Sequence, residues 1–258
     1  MILTEIVENK RREIAERKTQ TSLREIEDRL NHAPRLKDFR SALRAPGINI
    51  IAEIKRRSPS RGDILPGIDA VEVAVTYEQS GAKAISVLVD QTFFGGSLED
   101  LYKVSNHVRV PCLCKEFIVD PYQIYEARMM GADAILLIVR ILSDNELSFF
   151  LQEVNKLGMS ALVETHNEEE IQRALAAGAH IIGINNRDLD TLEVDIQTTS
   201  RLKSKVPGGN ILVAESGIKT PEEVRFLHKS GIDAFLIGDS LLTSNNIQEK
   251  LESLIHDD

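Results

Sequence analysis

Four charged residues stand where an α/β chain should carry valine, isoleucine or leucine. Glu53, Lys115, Glu164 and Glu215 each close a short apolar run, in IIAEIK, PCLCK, SALVET and ILVAES, at steps of 62, 49 and 51 residues. Lys55 follows two residues after Glu53. Alternate side chains of a strand share a face, so Lys115 sides with Leu113, Glu164 with Leu162 and Glu215 with Val213. If those apolar partners fill an interior, an ammonium and several carboxylates converge at one end of it. A lysine among carboxylates keeps its proton at neutral pH and can serve as an acid, while a neighbouring carboxylate can serve as a base. One strand-end charge is explained by reaching water. Four at matched places form an electrostatic liability of the kind that marks a site of chemistry. Asn185, Asn186 and Arg187, in GINNRDLD, add polar groups at the end of a further apolar run.

The elements that must hold these residues announce themselves by repetition. Gly81-Ala82-Lys83-Ala84, Gly131-Ala132-Asp133-Ala134, Gly178-Ala179-His180-Ile181 and Gly231-Ile232-Asp233-Ala234 recur at spacings of 50, 47 and 53 residues. Each follows an amphipathic stretch and precedes an apolar one: AISVLVD, AILLIVR, IIGINN and AFLIGD. Glycine ends a helix by turning left-handed without a Cβ clash, and the apolar run that follows reads as a strand buried on both faces. Between these strands lies a second set, NIIAEIK, VPCLCKE, MSALVET and NILVAES. Segments such as PYQIYEARMM and NEEEIQRALAA carry apolar residues three or four apart and predict helices. Thr220-Pro221 and Asn167 are placed to start two of them. Eight alternating units on a regular period predict a closed (β/α)8 barrel, and no glycine-rich dinucleotide fingerprint follows the first strand. Ile2 to Lys18 and Leu23 to Asn31 predict two helices, followed by a link holding Pro34 and Pro46. With too few apolar residues for their own core, residues 1–47 are expected to be an N-terminal helical extension of a single (β/α)8-barrel domain, 1–258.

In such a barrel the loops after the seventh and eighth strands commonly offer backbone N–H groups to a phosphate. Here those strands end in AESGI and LIGDS, with Ser216, Gly217, Gly238 and Asp239 at the turns. Gly217 and Gly238 would let the backbone approach an anion closely. A carboxylate beside a phosphate is unfavourable, so Asp239 is expected to face solvent or a helix N-terminus and leave binding to the Gly238 amide. KRRSPSRG, residues 55–62, is basic, turn-forming and hydroxyl-bearing, and begins with Lys55 at a strand end.

Composition narrows the partners. Forty acidic residues against 31 basic ones leave a net charge of −9, which argues against nucleic acid or an anionic membrane. No apolar run approaches the roughly 20 residues of a membrane span, and the first residues alternate charges where a signal core would be apolar. Cys112 and Cys114 lie on one strand face, too close along the chain for easy pairing, and read as buried thiols. The six histidines show no metal-ligand spacing.

Seven segments, in order, resemble the indole-3-glycerol-phosphate synthase family: IAEIKRRSPSRG, VLVDQTFFGGSLEDL, CKEFIVDPYQI, LVETHNEEE, GINNRDLDTLEVD, VAESGI and FLIGDSLL. The resemblance runs from about residue 48 to the end, and the N-terminal helices are similar to that family's extra ones. It implies ring closure of 1-(2-carboxyphenylamino)-1-deoxyribulose 5-phosphate to indole-3-glycerol phosphate, with loss of CO2 and water, in tryptophan biosynthesis. No cofactor and no metal are implied. The setting would be cytoplasmic, and other enzymes of the pathway are the candidate protein partners. On this resemblance Glu164 matches the catalytic carboxylate and takes the base role. Lys115 is placed to polarise the sugar C2 carbonyl, and Lys55 to hold the anthranilate carboxylate. Which lysine supplies the second proton stays open. Glu53 would orient the lysines and sugar hydroxyls. Asn185 and Glu215 would add hydrogen bonds, and Arg187 would hold the acidic substrate or its loop. Ser58 and Ser60 match the family's SPS loop, while Phe94 and Phe117 resemble its aromatic walls. An isomerase on a related barrel would need a cysteine as its acid, but Cys112 and Cys114 sit on the wrong face. A barrel that only binds a phosphorylated metabolite would not need Lys115 and Glu164.

Overall fold

The computed structural model describes residues 2–189 and 191–256. Eight parallel strands close into a barrel: β1 (Asn49–Ile54), β2 (Ala84–Leu88), β3 (Cys112–Lys115), β4 (Ala134–Ile138), β5 (Ser160–Thr165), β6 (Ile181–Asn185), β7 (Ile211–Glu215) and β8 (Ala234–Ile237). They pair in chain order, with β1 closing on β8. All eight coincide with the expected apolar runs. The four repeat glycines take φ between +86° and +96°, ending their helices as expected. The repeat's aspartates do structural work: Asp133 accepts the Cys112 and Lys37 amides, and Asp233 accepts the Leu212 amide. Asp133 thereby satisfies the first donor of β3, and Asp233 the second donor of β7. Thr220 caps the helix Pro221–Lys229 in a reciprocal box with Glu223, and Asn167 caps Glu168–Ala176.

Strand alternation divides the buried residues into two layers. Ile50, Ile85, Cys112, Cys114, Val163 and Phe235 face the surrounding helices. Ile51, Leu113, Leu162, Ile181, Ile211 and Val213 fill the barrel. Glu53, Lys115, Glu164 and Glu215 stand two residues beyond Ile51, Leu113, Leu162 and Val213, so they point inward near the C-terminal ends. Register brings them level: Glu164 lies opposite Gly183, Asn185 opposite Glu215, and Glu53 opposite Ser86. Both cysteines are unpaired and packed in the outer layer.

The N-terminal segment holds α1 (Ile2–Gln20), α2 (Leu23–Arg29) and a 3-10 turn, Leu30–His32. The link holding Pro34 and Pro46 contains a further helix, α3 (Phe39–Leu43), which no apolar spacing in the chain predicts. Asp38 caps α3, and its Phe39 and Leu43, 1% and 0% exposed, join the barrel's inner layer. That apolar plug is what fixes so short a helix. At the opposite end, Ile2, Leu3 and Ile6 of α1 reach the cavity in the barrel mouth. Lys10 anchors α1 there. Its ammonium is buried among Glu13, Asp90 and Glu116 at 2.8, 2.9 and 3.1 Å.

KRRSPSRG is an antiparallel ribbon, Arg57–Ser58 against Gly62–Asp63. No helix is long and apolar enough to cross a membrane, and no group of metal-ligating side chains occurs among the described residues.

Candidate active site

The C-terminal mouth of the barrel opens into a cavity of about 950 Å³. Lys55, Lys115, Glu53, Glu164, Asn185 and Glu215 line it. So do Ser58, Ser60, Phe94, Phe117, Arg187, Ser216, Gly217, Gly238 and Asp239. Residues drawn from the ends of five strands and from the segments that follow six therefore share one space.

Lys115 is its centre. The ammonium lies 3.0 Å from Glu215 Oε2 and 3.2 Å from Glu164 Oε2. Burial opposes its charge, but Glu215 and Glu164 outweigh burial and hold the lysine above its usual range, protonated. The two carboxylates diverge. Burial pushes Glu215 up to about 7 despite Lys115, with the charge of Glu164 adding to the push. Glu164 is equally buried, yet Lys115, His166 and a hydrogen bond from Asn185 keep it below the usual carboxylate range. Two neighbouring carboxyls thus have opposite tendencies, one toward the acid form and one toward the base. Gly183 makes room for this arrangement: a Cβ there would lie 2.0 Å from Glu215 Oε1.

Lys55 bridges Glu53 at 2.6 Å and Asp239 at 2.7 Å. Burial opposes its charge, but both carboxylates overcome it and raise the lysine. Glu53 therefore contacts Lys55 directly and acts on Lys115 only through its charge. The expected orientation of Asp239 is corrected. Its carboxylate faces neither solvent nor a helix end but turns into the cavity, with Arg61 at 3.5 Å and Arg187 at 4.0 Å besides Lys55. Three cations offset its charge, which is why it tolerates that place. Gly238 also carries a packing constraint. Its φ is −130°, and glycine is required because a Cβ would press on Glu53 at 2.7–3.0 Å.

The loop after β7 carries Ser216 at φ +65° and Gly217 at φ +82°. A Cβ on Gly217 would also meet Val194 at 2.3 Å. The short helix Asp239–Leu242, whose first N–H groups have no intrahelical acceptor, lines the same cavity as that pair. Ser58 and Ser60 hydroxyls lie 3.4 Å apart on the ribbon across the cavity. Arg187 spends one guanidinium nitrogen on the Leu192 carbonyl, bracing its own loop. The rings of Phe94 and Phe117 stand 5.9 Å apart, tilted by 34°. Asp90 accepts the amides of Phe93 and Phe94, and Glu116 accepts that of Phe117, so the ions around Lys10 also fix this aromatic wall.

Sequence reasoning missed Arg61, the α1 residues and His166. Arg61 stands in the quoted basic loop, and only its reach across to Asp239 distinguishes it. His166 follows Glu164 by two and so returns to the same side of the strand, a signal present in LVETH.

A parallel barrel whose mouth gathers a buried lysine, buried carboxylates and two glycine-bearing loops around one cavity has the form of a (β/α)8-barrel enzyme of small phosphorylated substrates. The family model for indole-3-glycerol phosphate synthase matches residues 3–254. The indole-3-glycerol phosphate synthase of Endomicrobium trichonymphae is 46% identical over 256 residues, covering 98% of this chain and 99% of that one. That of Mycolicibacterium gilvum is 46% identical over 254 residues, covering 98% and 93%. Among solved structures, 3-hexulose-6-phosphate synthase from Salmonella typhimurium shares the fold, with a TM-score of 0.66 at 10% identity over 80% of this chain and 96% of that one. The chain belongs to the indole-3-glycerol phosphate synthase family. It is an enzyme of that kind, a decarboxylating lyase of tryptophan biosynthesis.

Proposed function

We propose that the mouth of the barrel closes the indole ring of 1-(2-carboxyphenylamino)-1-deoxyribulose 5-phosphate with Lys115 as acid and Glu164 as base. Ring closure joins an aromatic carbon to the sugar C2, and the C2 oxygen gains negative charge as it does so. The Lys115 ammonium, fixed between two carboxylates, is already oriented and desolvated for that oxygen, so little reorganisation accompanies the step. Lys55 meets the substrate carboxylate before it departs as CO2, leaving Glu53 and Asp239 to balance the lysine afterwards. Dehydration then removes the C2 hydroxyl and a proton from the adjacent carbon. Glu164, kept ionised by Lys115 and His166, takes that proton, and Lys55 is the second ammonium able to assist the hydroxyl. Glu215 and Asn185 hold Lys115 and Glu164 in register. Phe94 and Phe117 form an aromatic wall for the anthranilate ring. The phosphate rests against Ser216, Gly217 and Gly238, with Ser58, Ser60, Arg61 and Arg187 closing over it. Asp239 serves as counter-ion to Lys55 rather than as a phosphate ligand.

We further propose that residues 1–258 work as one domain, because α1 and α3 complete the mouth and the base of the barrel. Family membership favours a cytoplasmic setting and a small phosphorylated substrate, and the net charge of −9 leaves nucleic acid aside. Docking to other enzymes of the pathway belongs to the same reading.

One observation carries the assignment: Lys115 lies between Glu164 and Glu215 inside the cavity that the phosphate loops border. The chain has no tryptophan, so indole fluorescence reports product alone. Wild-type protein should convert the substrate, and Glu164→Gln should lose about 10²–10⁴-fold in kcat. Wild-type turnover in that variant would overturn the base assignment.

A further inference from the structure

His166 lies just beyond β5 with its side chain only 4% exposed, and no step above uses it as an acid or base. Its ring is held from one side. Glu170 Oε2 accepts the His166 backbone N–H at 2.8 Å and contacts ring Nδ1 at 3.0 Å. Glu170 is itself fixed, by Arg140 Nε at 3.1 Å and by Asn167 Nδ2 at 3.1 Å. Asn167 Oδ1 in turn accepts the Glu170 amide at the start of the helix Glu168–Ala176. The ring therefore cannot rotate without breaking a chain of contacts that spans two loops. Its other nitrogen, Nε2, is buried, has no hydrogen bond, and faces Glu164 Oε1 at 3.4 Å. Lys115 takes the opposite oxygen of the same carboxylate.

We propose that His166 is a positioning residue for the reaction: clamped by Glu170, it presents Nε2–H to Glu164 and fixes that carboxylate in the orientation that faces Lys115 and the cavity. The charges support the geometry. Burial disfavours the imidazolium, but the hydrogen bond to Glu170 and the charges of Glu164 and Glu170 outweigh burial and the nearby Arg140, so the ring titrates above its usual range. Below that range His166 carries a positive charge beside the base, which must stay ionised to accept a proton.

This inference rests on the reading of Glu164 as the base, and the test separates the two. The groups facing the ring are Glu164 from its own strand, Glu170 and Asn167 from the following helix, and Arg140 from the loop after β4. Loss of the imidazolium should lift the acidic limb of the kcat–pH profile, because Glu164 then protonates more readily. We expect His166→Ala to lower kcat about tenfold and raise that limb by about one pH unit, with KM little changed. His166→Gln, whose amide N–H can still reach Glu164, should recover most of kcat but keep the raised limb. Glu170→Gln should show the same shift more weakly, and it decides the matter if His166→Ala does not fold. Unchanged kcat and pH profile in the folded His166 variants, with Glu164→Gln inactive, would overturn the role of His166 and leave that of Glu164 standing. Full turnover in Glu164→Gln would instead remove the base assignment on which it rests.

Discussion

The two ends of the barrel are built from the same eight strands but hold opposite kinds of side chain. At the N-terminal end Phe39 and Leu43 of α3 join Ile51, Ala84, Ile181 and Ile211 in one buried apolar cluster. At the C-terminal end, two residues further along four of the strands, the same inward face carries Glu53, Lys115, Glu164 and Glu215. Close packing at the base costs nothing in desolvation and contributes stability through apolar burial. The mouth does the reverse. It holds ions under poor solvation so that they are charged and oriented before substrate arrives, and it is tolerable because the base fixes the strands from below. Stability and chemistry are thus separated along one axis, and changes at either end should be felt in different measurements.

Phe39→Ala should give the largest effect on the folded state. Removing a ring that plugs the barrel should cost about 3–5 kcal/mol in denaturant unfolding, while kcat per folded molecule stays near the wild-type value. A large fall in kcat would break the separation. Gly183→Ala probes the other end. Its Cβ would occupy the place of Glu215 Oε1, so the carboxylate must swing off Lys115 and kcat should drop about 10–100-fold, with a smaller loss of stability than the base variant. Glu215→Gln sharpens the comparison through pH. Because the folded carboxyl titrates near 7 instead of its ordinary value near 4.5, the unfolded chain releases this proton first as pH rises. The wild type therefore loses stability between those values, and the penalty is complete above 7. The Gln variant should match wild type below pH 4.5 and unfold a few degrees higher above pH 7, with lowered activity. The smallest effect is expected from Asp239→Asn. Removing a carboxylate from the anion side of the cavity should lower KM a few-fold and strengthen inhibition by inorganic phosphate; a raised KM would instead show that Lys55 needs this partner to bind substrate.

Much of the barrel could be read from the chain because its signals are local. A buried parallel strand must be apolar along its length, and a helix ending just before it needs a left-handed turn, so AILLIVR after Gly131 admits few alternatives. The site was legible for a related reason: Lys115 and Glu164 interrupt runs that have no other cause for charge. What escaped depends on contacts between distant segments. FRSAL, between two prolines, has no periodicity of its own, and α3 exists because the barrel base needs Phe39 and Leu43. Asp239 was misdirected because its partners Lys55 and Arg61 follow β1, adjacent to β8 in the closed barrel but almost the whole chain away in sequence, and nothing in LIGDS names them. The crowding of position 238 by Glu53 escaped as well, a packing relation that spacing does not carry. His166 stood beside a recognised residue, but a lone histidine before a helix cap gives no hint of the clamp that Glu170 supplies.

Everything said of the mouth depends on Lys115 acting on the substrate as an acid, beyond merely balancing two carboxylates. Single-turnover conversion of 1-(2-carboxyphenylamino)-1-deoxyribulose 5-phosphate, followed by indole fluorescence in wild type and Lys115→Ala at matched folded concentration, tests this directly. The variant should still bind inorganic phosphate and should form product at least about 10³-fold more slowly. Product formed by Lys115→Ala at the wild-type rate would contradict the account.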